Sequence, residues 1–576
     1  MNVIFENLYK DYEGKIVLSN LTGRINENDK IGLIGINGVG KTTLAKIIAK
    51  LESYEEGMLK YSPGNIKAIY LNQNSDNYKA MSVYDFLFEV LNDRKKDKIY
   101  QVKLKQAIVE AGLSEQIYSK QFGLLSGGEK TKLALCRVLI EDFDLLILDE
   151  PTNHLDLEGC KWLENFLNGL RKTVLIISHD RYFLDKTTNK TWELSAKFLK
   201  EYEGNYSDYK QQKEIETKNK IKEYDKQEKK IEHLKEVIND RKNWFDQAHM
   251  AAGQNDFARA KAKKHVSVMR AKEKELERVE KNKIDKPKGE TAAYFDILNR
   301  SLINTKLPKY LVQIYDLSKR YENRNIFSKA SFNIMRGEKI ALLGENGAGK
   351  TTLLKIINGL DKKFEGKVTI NPSVKTAYFA QELDSLDYDK SILENVLYYG
   401  INHAETRMLL ACLLFKGDEV FKLVKNLSMG EKCRTAFAKI ILSEANLLVL
   451  DELTNYMDIV SKEKIEEILS EFKETILFVS HDRYFVNRLA TKIIEINNEK
   501  LISYPGTFDE YISRKQNSDS NNTDYNAIRD IISKLECELA FLSGRFNEKL
   551  SESEKEELDR KFIEISREIN TYRLKL

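Results

Sequence analysis

Two glycine-rich segments of this 576-residue chain each end in a lysine followed by two threonines. They read IGLIGINGVGKTT at residues 31–43 and IALLGENGAGKTT at residues 340–352. In the pattern G-x-x-x-x-G-K-T, glycines let backbone N–H groups surround phosphates while the lysine reaches the terminal ones. The residues predicted to bind nucleotide phosphates are Gly35, Asn37, Gly38, Gly40, Lys41, Thr42 and Thr43, and in the second segment Gly344, Asn346, Gly347, Gly349, Lys350, Thr351 and Thr352.

A second pair of segments supplies carboxylates. LLILDE at residues 145–150 and LLVLDE at residues 447–452 each end an apolar strand in Asp-Glu. The aspartate can hold Mg²⁺ with the P-loop threonine, and the glutamate can orient or deprotonate an attacking water. We predict ATP and Mg²⁺ as cofactors, metal ligation by Asp149, Thr42, Asp451 and Thr351, and catalysis by Glu150 and Glu452.

These segments belong to an internal repeat. LSGGEK at residues 125–130 returns as LSMGEK at 427–432, and SHDRYF at 178–183 returns at 480–485. Both of these pairs and the Asp-Glu pair are 302 positions apart, whereas the glycine-rich segments are 309 apart. Nearly constant spacing means that the chain carries two copies of one domain. Apolar strands that lead into glycine-rich loops and helices indicate an α/β fold with a parallel sheet in each copy.

LSGGEK resembles the signature loop of ATP-binding-cassette (ABC) ATPases, and the resemblance covers both copies. It implies glutamine loops that help to ligate Mg²⁺, D-loop aspartates, switch histidines with a catalytic role, tyrosines that stack on adenine, and signature residues that contact phosphate. The glutamine-loop residues are Gln73 and Gln381, the D-loop aspartates are Asp156 and Asp458, and the switch histidines are His179 and His481. The stacking tyrosines are Tyr12 and Tyr321, and the signature residues are Ser126, Gly127, Gly128, Ser428 and Gly430.

The resemblance also implies that the two cassettes of one monomer pair head to tail around two ATP molecules. Lys41 and Glu150 would then face Ser428 and Gly430 of the second cassette. Lys350 and Glu452 would face the signature of the first. Contacts to the γ-phosphate would hold the pair closed until hydrolysis.

The second copy departs from the family pattern. Met429 stands where the first signature glycine is expected, and PTNHLD at residues 151–156 becomes LTNYMD at 453–458, so that Leu453, Tyr456 and Met457 do not match. We expect Met429 to disfavour a positive φ at this position. We therefore predict unequal sites, with the site of Lys41 and Glu150 hydrolysing ATP slowly.

Composition excludes several classes of protein. The five cysteines are scattered without a CxxC pair, which argues against zinc or iron–sulfur centres. No apolar run approaches the ~20 residues needed to cross a bilayer, and the N-terminus is too charged for a signal peptide. We expect a cytoplasmic protein that has no membrane partner.

Residues 206–289 separate the two copies and have a helical apolar period, which predicts two antiparallel helices. Residues 210–289 contain 23 Lys and Arg against 15 Asp and Glu, a net charge of +8. A solvated spacer is the simpler interpretation of such charge, but basic and aromatic residues concentrate at the tip. The predicted RNA contacts there are Arg241, Lys242, Trp244, Phe245, His249, Arg259, Lys261, Lys263, Lys264 and Arg270.

The linker, SHDRYF and PTNHLD resemble those of the ABC-F translation factors. The resemblance implies binding of the 70S ribosome at its E site, with the linker directed at 23S rRNA, the P-site tRNA and the peptidyl-transferase centre. Only 52 residues separate Gln73 from Ser126, which leaves no room for the arm of housekeeping members. The chain is therefore most similar to antibiotic-resistance members, which protect ribosomes from pleuromutilin, lincosamide and streptogramin A drugs.

Three alternatives stay open: a housekeeping ABC-F translation factor, a cytosolic ATPase subunit of a membrane transporter, and a DNA-acting ATPase. The predicted domains are a cassette at residues 1–205, the linker at 206–289, a cassette at 290–514 and a helical hairpin at 524–576. The hairpin rests on apolar residues that alternate between spacings of four and three. Ribosome binding and simple packing are equally compatible with it.

Overall fold

The computed structural model describes most of the chain. The described residues are 1–71, 78, 80–89, 98–138, 143–153, 155–195, 197–251, 256–283, 308–321, 324–380, 383, 385–397, 402–518, 531–532, 535, 538–539, 542 and 552–573.

Within its described residues, the first cassette contains nine strands and six α-helices. The strands are β1 (Asn2–Tyr12), β2 (Lys15–Ile25), β3 (Lys30–Ile34), β4 (Glu56–Ser62), β5 (Ala68–Leu71), β6 (Leu145–Asp149), β7 (Thr173–Ile177), β8 (Lys190–Leu194) and β9 (Leu199–Glu203). The helices are α1 (Lys41–Ile48), α2 (Val83–Phe88), α3 (Lys98–Glu110), α4 (Gly127–Val138), α5 (Leu157–Gly169) and α6 (Arg181–Thr187).

The strands form two sheets. A six-stranded sheet has the order β5-β6-β7-β3-β8-β9, in which only β9 is antiparallel to its neighbour. A three-stranded antiparallel sheet has the order β2-β1-β4. Every residue of β6 and β7 is buried, as expected for central parallel strands covered on both faces. The carboxyl ends of β3 and β6 therefore place the P-loop and the Asp-Glu pair at one edge of the sheet.

The linker forms a unit of its own beyond Tyr206. It consists of α7 (Tyr206–Ala251) and α8 (Asp256–Lys281). The 46 residues of α7 include neither glycine nor proline, which allows an uninterrupted helix. Ile231 and Leu234 are buried, and Lys230 pairs with Glu275 of α8 at 3.0 Å. The predicted antiparallel pairing of two helices is present among the described residues.

The second cassette repeats the first. Its strands are β10 (Tyr310–Tyr321), β11 (Arg324–Met335), β12 (Lys339–Gly344), β13 (Glu365–Ile370), β14 (Thr376–Phe379), β15 (Leu447–Asp451), β16 (Thr475–Val479), β17 (Lys492–Asn497) and β18 (Lys500–Pro505). Its helices are α9 (Lys350–Ile357), α10 (Ile392–Val396), α11 (His403–Cys412), α12 (Met429–Ile441), α13 (Ile459–Glu471), α14 (Arg483–Leu489) and α15 (Phe508–Ser518).

The sheet orders are also repeated. They are β14-β15-β16-β12-β17-β18 and β11-β10-β13, which correspond strand for strand to the first cassette. The predicted fold class, two tandem α/β P-loop domains joined by a helical linker, is confirmed. Beyond α15, helix α16 (Glu552–Arg573) packs Leu558, Ile565 and Ile569 into an apolar cluster with Ile532 and Leu542.

Candidate nucleotide-binding and catalytic sites

Each P-loop connects a buried strand to the first turn of a helix. Gly40 precedes α1 with φ of 101°, and Gly349 precedes α9 with φ of 104°. A Cβ at Gly40 would lie 2.6 Å from Leu18, so this position requires glycine for both its φ and its contacts. The Lys41 ammonium donates to the Gly35 carbonyl at 2.7 Å, and Lys350 donates to Gly344 at 2.8 Å. Both lysines are thus folded over their own loops, where phosphates would be bound.

The strand-end aspartates have the chemistry of a Mg²⁺ site. The Thr42 hydroxyl donates to Asp149 Oδ2 at 2.9 Å. Neither oxygen of the buried Asp451 accepts a hydrogen bond of normal geometry. Burial raises the pKa of Asp451, and the nearby Thr351 hydroxyl offsets part of this rise. A buried carboxylate beside a threonine hydroxyl is a hard oxygen donor set that fits Mg²⁺. Gln73 and Gln381 lie outside the described residues.

The glutamates that follow share an unusual backbone conformation. Glu150 and Glu452 both have φ of 51°, which a residue with a side chain seldom adopts. The Glu150 N–H donates to the Ile177 carbonyl at 2.8 Å, and the Glu452 N–H to Val479 at 3.0 Å. The adjacent strand thus holds each strained turn. The turn places each carboxylate beyond the end of its strand.

Each glutamate that the sequence predicts to be catalytic lies beside the predicted switch histidine of its own cassette. His179 Nε2 lies 3.4 Å from Glu150 Oε1, and His481 Nε2 lies 3.6 Å from Glu452 Oε1. Burial raises the pKa of Glu150 to about 7, although the nearby Lys41 opposes this rise. The pKa of Glu452 is instead lowered, mainly by its hydrogen bond with His481. The two carboxylates therefore differ in their electrostatic environments.

The first nucleotide site draws residues from both cassettes. A cavity of 560 Å³ is lined by Lys41, Thr42 and Glu150 of the first cassette and by Ser428 and Gly430 of the second. Lysine and signature therefore face each other as the family arrangement implies.

The P-loop of the first cassette also contacts the D-loop of the second directly. The Asn37 N–H donates to Asp458 Oδ2 at 3.0 Å, and its side-chain amide donates to the Tyr456 carbonyl at 3.0 Å. A Cβ at Gly430 would lie 2.8 Å from that same carbonyl. The second signature glycine is thus required for this close approach.

The second site has the reciprocal arrangement. A cavity of 530 Å³ brings the P-loop from Gly344 to Ala348 against Asp156 of the first cassette. Ser126 and Gly128 line a further cavity of 330 Å³ together with Asn346 and Glu452. Gly127 and both switch histidines line this cavity as well. It is shared by the catalytic residues of the two sites.

Met429 does not need the backbone conformation that the sequence argument assumed. Helix α12 begins at Met429, and α4 begins at the corresponding Gly127. Met429 is absent from the described side-chain-bearing residues with positive φ. The prediction that Met429 conflicts with a positive φ was wrong, because Ser428 caps the helix and Met429 already has a helical backbone. Met429 instead differs from glycine by a 40 % exposed side chain that lines the first cavity.

The predicted adenine-stacking tyrosines are exposed aromatic rings held at their hydroxyl groups. Tyr12 lines the first cavity, and its hydroxyl donates to Glu52. The Tyr321 hydroxyl donates to Asp361 Oδ2 at 2.9 Å. Both tyrosines therefore have the same support, because Asp361 lies 309 positions after Glu52. The rings offer flat faces on which a purine can stack.

Sequence reasoning missed a buried set of ion pairs between the cassettes. Arg181 donates to Glu466 Oε2 at 3.1 Å and makes a second contact with Oε1 of the same carboxylate. In the reciprocal position, Arg483 pairs with Glu164 at 3.0 Å. Both arginines belong to the repeated SHDRYF segment. The repeat of this segment continues past the histidine to the arginine and the tyrosine, and this was the sequence signal that could have revealed the contacts.

The tyrosines of SHDRYF extend these contacts. Tyr182 and Tyr484 meet edge to face with their ring centroids 6.2 Å apart. Arg181 lies 5.2 Å from the Tyr484 ring centroid, and Arg483 lies 4.5 Å from that of Tyr182. The two copies of the segment therefore pack against each other.

The predicted RNA-contact residues lie on the linker helices. Arg241, Lys242 and Trp244 are on α7, where Trp244 is 40 % exposed and Phe245 is partly buried. Arg270 is exposed on α8. For the remaining tip residues only the helical backbone is described, and their side chains lie outside the description; these are His249, Arg259, Lys261, Lys263 and Lys264.

The described residues lack two further features. None of their helices has both the length and the apolar composition needed to span a bilayer. Within that same part of the chain, no group of three or more His, Cys, Asp or Glu side chains is arranged to hold a metal ion.

A P-loop, an Asp-Glu strand end and a signature helix supplied by the opposite cassette define an ABC-type ATPase. Family sequence models agree: one described as ABC transporter matches residues 18–153 and again 327–455. A second model with the same description matches residues 192–295, which include the linker.

Three relatives match over nearly the whole chain. ABC transporter F family member 5 of Arabidopsis thaliana is 33% identical, covering 89% of this chain and 77% of its own. Ribosome protection protein VmlR of Bacillus subtilis is 33% identical over 87% of both chains. Energy-dependent translational throttle protein EttA of Escherichia coli is 31% identical, over 87% of this chain and 93% of its own.

The chain belongs to the ABC-F family and hydrolyses ATP. Its fold is also similar to a solved structure of RNase-L Inhibitor, with a TM-score of 0.59, 19% identity, and coverage of 89% of this chain and 93% of the other.

Proposed function

We propose that this protein is an ATP-dependent ribosome-protection factor that acts in the cytoplasm as a monomer. The observation that carries the proposal is the similarity to a ribosome protection protein over 87% of both chains, which extends across cassettes and linker alike. In this proposal the protein enters the E site of the 70S ribosome and directs its linker at the P-site tRNA, 23S rRNA and the peptidyl-transferase centre.

The chemistry of the linker supports a nucleic-acid partner. Residues 210–289 carry a net charge of +8, while the whole chain carries +4. Basic side chains favour phosphate, and an exposed ring such as that of Trp244 can stack on an unpaired base. Seven of the 30 residues from 241 to 270 are basic and only two are acidic. The tip is thus suited to rRNA and to a tRNA acceptor stem.

ATP controls ribosome binding in this proposal because both nucleotide sites need both cassettes. Lys41 and the P-loop amides bind the phosphates of one ATP, and Ser428 and Gly430 reach the same nucleotide from the other side. Thr42 and Asp149 would hold Mg²⁺ at the first site, Thr351 and Asp451 would hold it at the second, and the bound ion would neutralise phosphate charge. Glu150 and Glu452 accept a proton from the attacking water, and loss of the γ-phosphate contacts lets the cassettes separate.

The short spacing before the first signature points to drug protection. Between Gln73 and Ser126 lie 52 residues, and between Gln381 and Ser428 lie 46, so that neither copy has room for an added arm domain. We propose that the linker displaces pleuromutilin, lincosamide or streptogramin A drugs from the ribosome. Minimum inhibitory concentrations for these drugs in a sensitive host that expresses the chain are expected to rise at least fourfold. Unchanged values for all three classes would remove the drug-protection part of the proposal.

The ribosome part has a separate test. A Glu150→Gln/Glu452→Gln variant binds ATP but hydrolyses it slowly, and is expected to sediment with 70S ribosomes when ATP is present. The same variant carrying Lys41→Ala and Lys350→Ala is the matched control and is expected to remain in the supernatant. Failure of the double glutamine variant to sediment would refute ribosome binding.

A second candidate function is supported by the similarity to EttA. A translation factor that acts on stalled or initiating ribosomes would also sediment with ribosomes when ATP is bound. It would alter translation without altering drug sensitivity. The combination of positive sedimentation and unchanged inhibitory concentrations would favour this function.

A further inference from the structure

One lysine of the second cassette reaches the catalytic loop of the first. Lys462 lies on α13, one turn beyond the D-loop residue Asp458, and is buried. Its ammonium donates to the backbone carbonyl of His179 at 3.0 Å. It also lies 3.3 Å from Asp482, the residue that follows the other switch histidine. A single charged group thus connects the two switch loops.

The position of Lys462 in the cavities places it close to the chemistry. It lines the first nucleotide cavity together with Lys41 and Glu150. It also lines the cavity that the catalytic residues of both sites share. Its side chain does not extend into solvent, and its hydrogen bond fixes the main chain of His179 relative to the second cassette.

The other half of the molecule has a different residue at this position. The repeat offset of 302 places Cys160 where Lys462 stands in the second copy. Cys160 is buried and lines the shared cavity. Burial raises the pKa of this thiol, which therefore stays neutral. A thiol is shorter than a lysine side chain and is a weak donor, so it cannot provide the same charged link to the His481 loop.

The aspartates that follow the two switch histidines, Asp482 and Asp180, have pKa values shifted in opposite directions. Burial by itself would raise the pKa of Asp482, but Arg181 and Lys462 together lower it. Its counterpart Asp180 has a raised pKa because burial dominates there, even though Lys462 and Arg483 oppose the rise. The Lys462 ammonium therefore acts electrostatically on both switch loops, and it also holds the His179 loop through its backbone carbonyl.

We propose that Lys462 is a positioning residue that acts in trans on the first nucleotide site, holding the His179 loop against the second cassette so that Glu150 stays aligned for hydrolysis. Among the residues that the structure describes, the second site shows no equivalent charged link, because Cys160 occupies the matching position. Hydrolysis at the first site then depends directly on α13 of the other cassette. The inference concerns ATP turnover alone and does not depend on the proposed ribosomal role.

The test measures each site separately in the full-length chain without ribosomes. A Glu452→Gln background leaves the first site active, and a Glu150→Gln background leaves the second. In the first background, Lys462→Met is expected to lower kcat about tenfold with KM for ATP changed less than twofold. In the second background, the same change is expected to leave kcat within twofold, because Arg181 still pairs with Asp482 at 3.4 Å. Lys462→Arg is expected to restore at least half of the lost kcat at the first site, because it retains charge and donors.

Lys464→Met on the same helix is the matched control, because its ammonium pairs with Glu467 at 2.7 Å and it lines neither cavity, and it is expected to leave kcat within twofold in both backgrounds. Equal losses of kcat at the two sites, a change confined to KM, or no loss at the first site would each overturn the proposal. If Lys462→Met does not fold, Lys462→Gln is judged by the same criteria, since it keeps a donor but removes the charge.

Discussion

The two nucleotide sites are built from the same parts, yet they differ in what each cassette contributes to the other. P-loop, strand-end aspartate, glutamate and histidine recur with matching geometry, down to the φ of 51° at both glutamates. The first site receives Met429, Tyr456 and Lys462 from the second cassette. The corresponding contribution to the second site includes Gly127 and Cys160. Among these site residues, the two copies differ in those that each cassette gives to the other in trans.

Substitutions that break the ion pairs between the cassettes should have the largest effect, and the two pairs should differ in how much they stabilise the fold. Arg181→Ala removes the main partner of Glu466, whose side chain is 2% exposed. We expect the free energy of unfolding to fall by roughly 3 kcal/mol. This is the low end for a broken buried ion pair, because Arg488 still lies 3.4 Å from the Glu466 carboxylate. Arg483→Ala should cost less, about 1–2 kcal/mol, since Glu164 is 12% exposed and can be hydrated. Urea denaturation of the full chains measures both, and an equal or reversed order would contradict the comparison.

The P-loop lysines should show that both sites bind nucleotide. Lys41→Ala and Lys350→Ala each remove a charged donor from phosphate, which is worth about 1.5–3 kcal/mol. We therefore expect affinity for ATP at the altered site to fall at least about tenfold, measured by equilibrium titration with ATP. Lys46→Ala on the same helix α1 as Lys41 is the matched control and should leave affinity unchanged. A variant at either P-loop that retained full affinity would mean that its site does not bind ATP in the way described.

The two sites should differ in how their ATP turnover depends on pH. A general base must be ionised, and the pKa of Glu150 is raised to about 7 by burial. Turnover of the first site, measured in a Glu452→Gln background, should fall as pH decreases from 8 to 6. The pKa of Glu452 is lowered, so turnover of the second site, measured in a Glu150→Gln background, should stay nearly constant over this range. Parallel pH profiles would show that the carboxylates do not differ in the working enzyme.

Met429→Gly should have the smallest effect. The residue begins α12 with an ordinary helical backbone, so glycine relieves no strain, and it removes only a side chain from the cavity wall. We expect KM for ATP at the first site to change by less than threefold in a Glu452→Gln background. A larger change would mean that the methionine contacts the nucleotide directly.

The sequence could predict those parts of the site whose chemistry requires a local pattern. Glycines that approach phosphate and a carboxylate pair after an apolar strand are visible within a dozen residues. The pairing of Arg181 with Glu466 spans 285 positions and has no local signature. Met429 was misjudged because helix α12 begins at this residue, directly after the capping Ser428, so that no positive φ is needed there. The link made by Lys462 was missed because a lysine on an amphipathic helix is usually read as exposed.

The central claim is that two nucleotide sites built in trans from one repeated domain turn over ATP at different rates. The most direct test compares kcat for Glu452→Gln, which leaves the first site active, with kcat for Glu150→Gln, which leaves the second, both at pH 7 and saturating ATP. We predict that the first site is slower by about twofold, because burial raises the pKa of Glu150 to about 7 and leaves its carboxylate only partly ionised at pH 7. Equal rates, or a faster first site, would contradict the account.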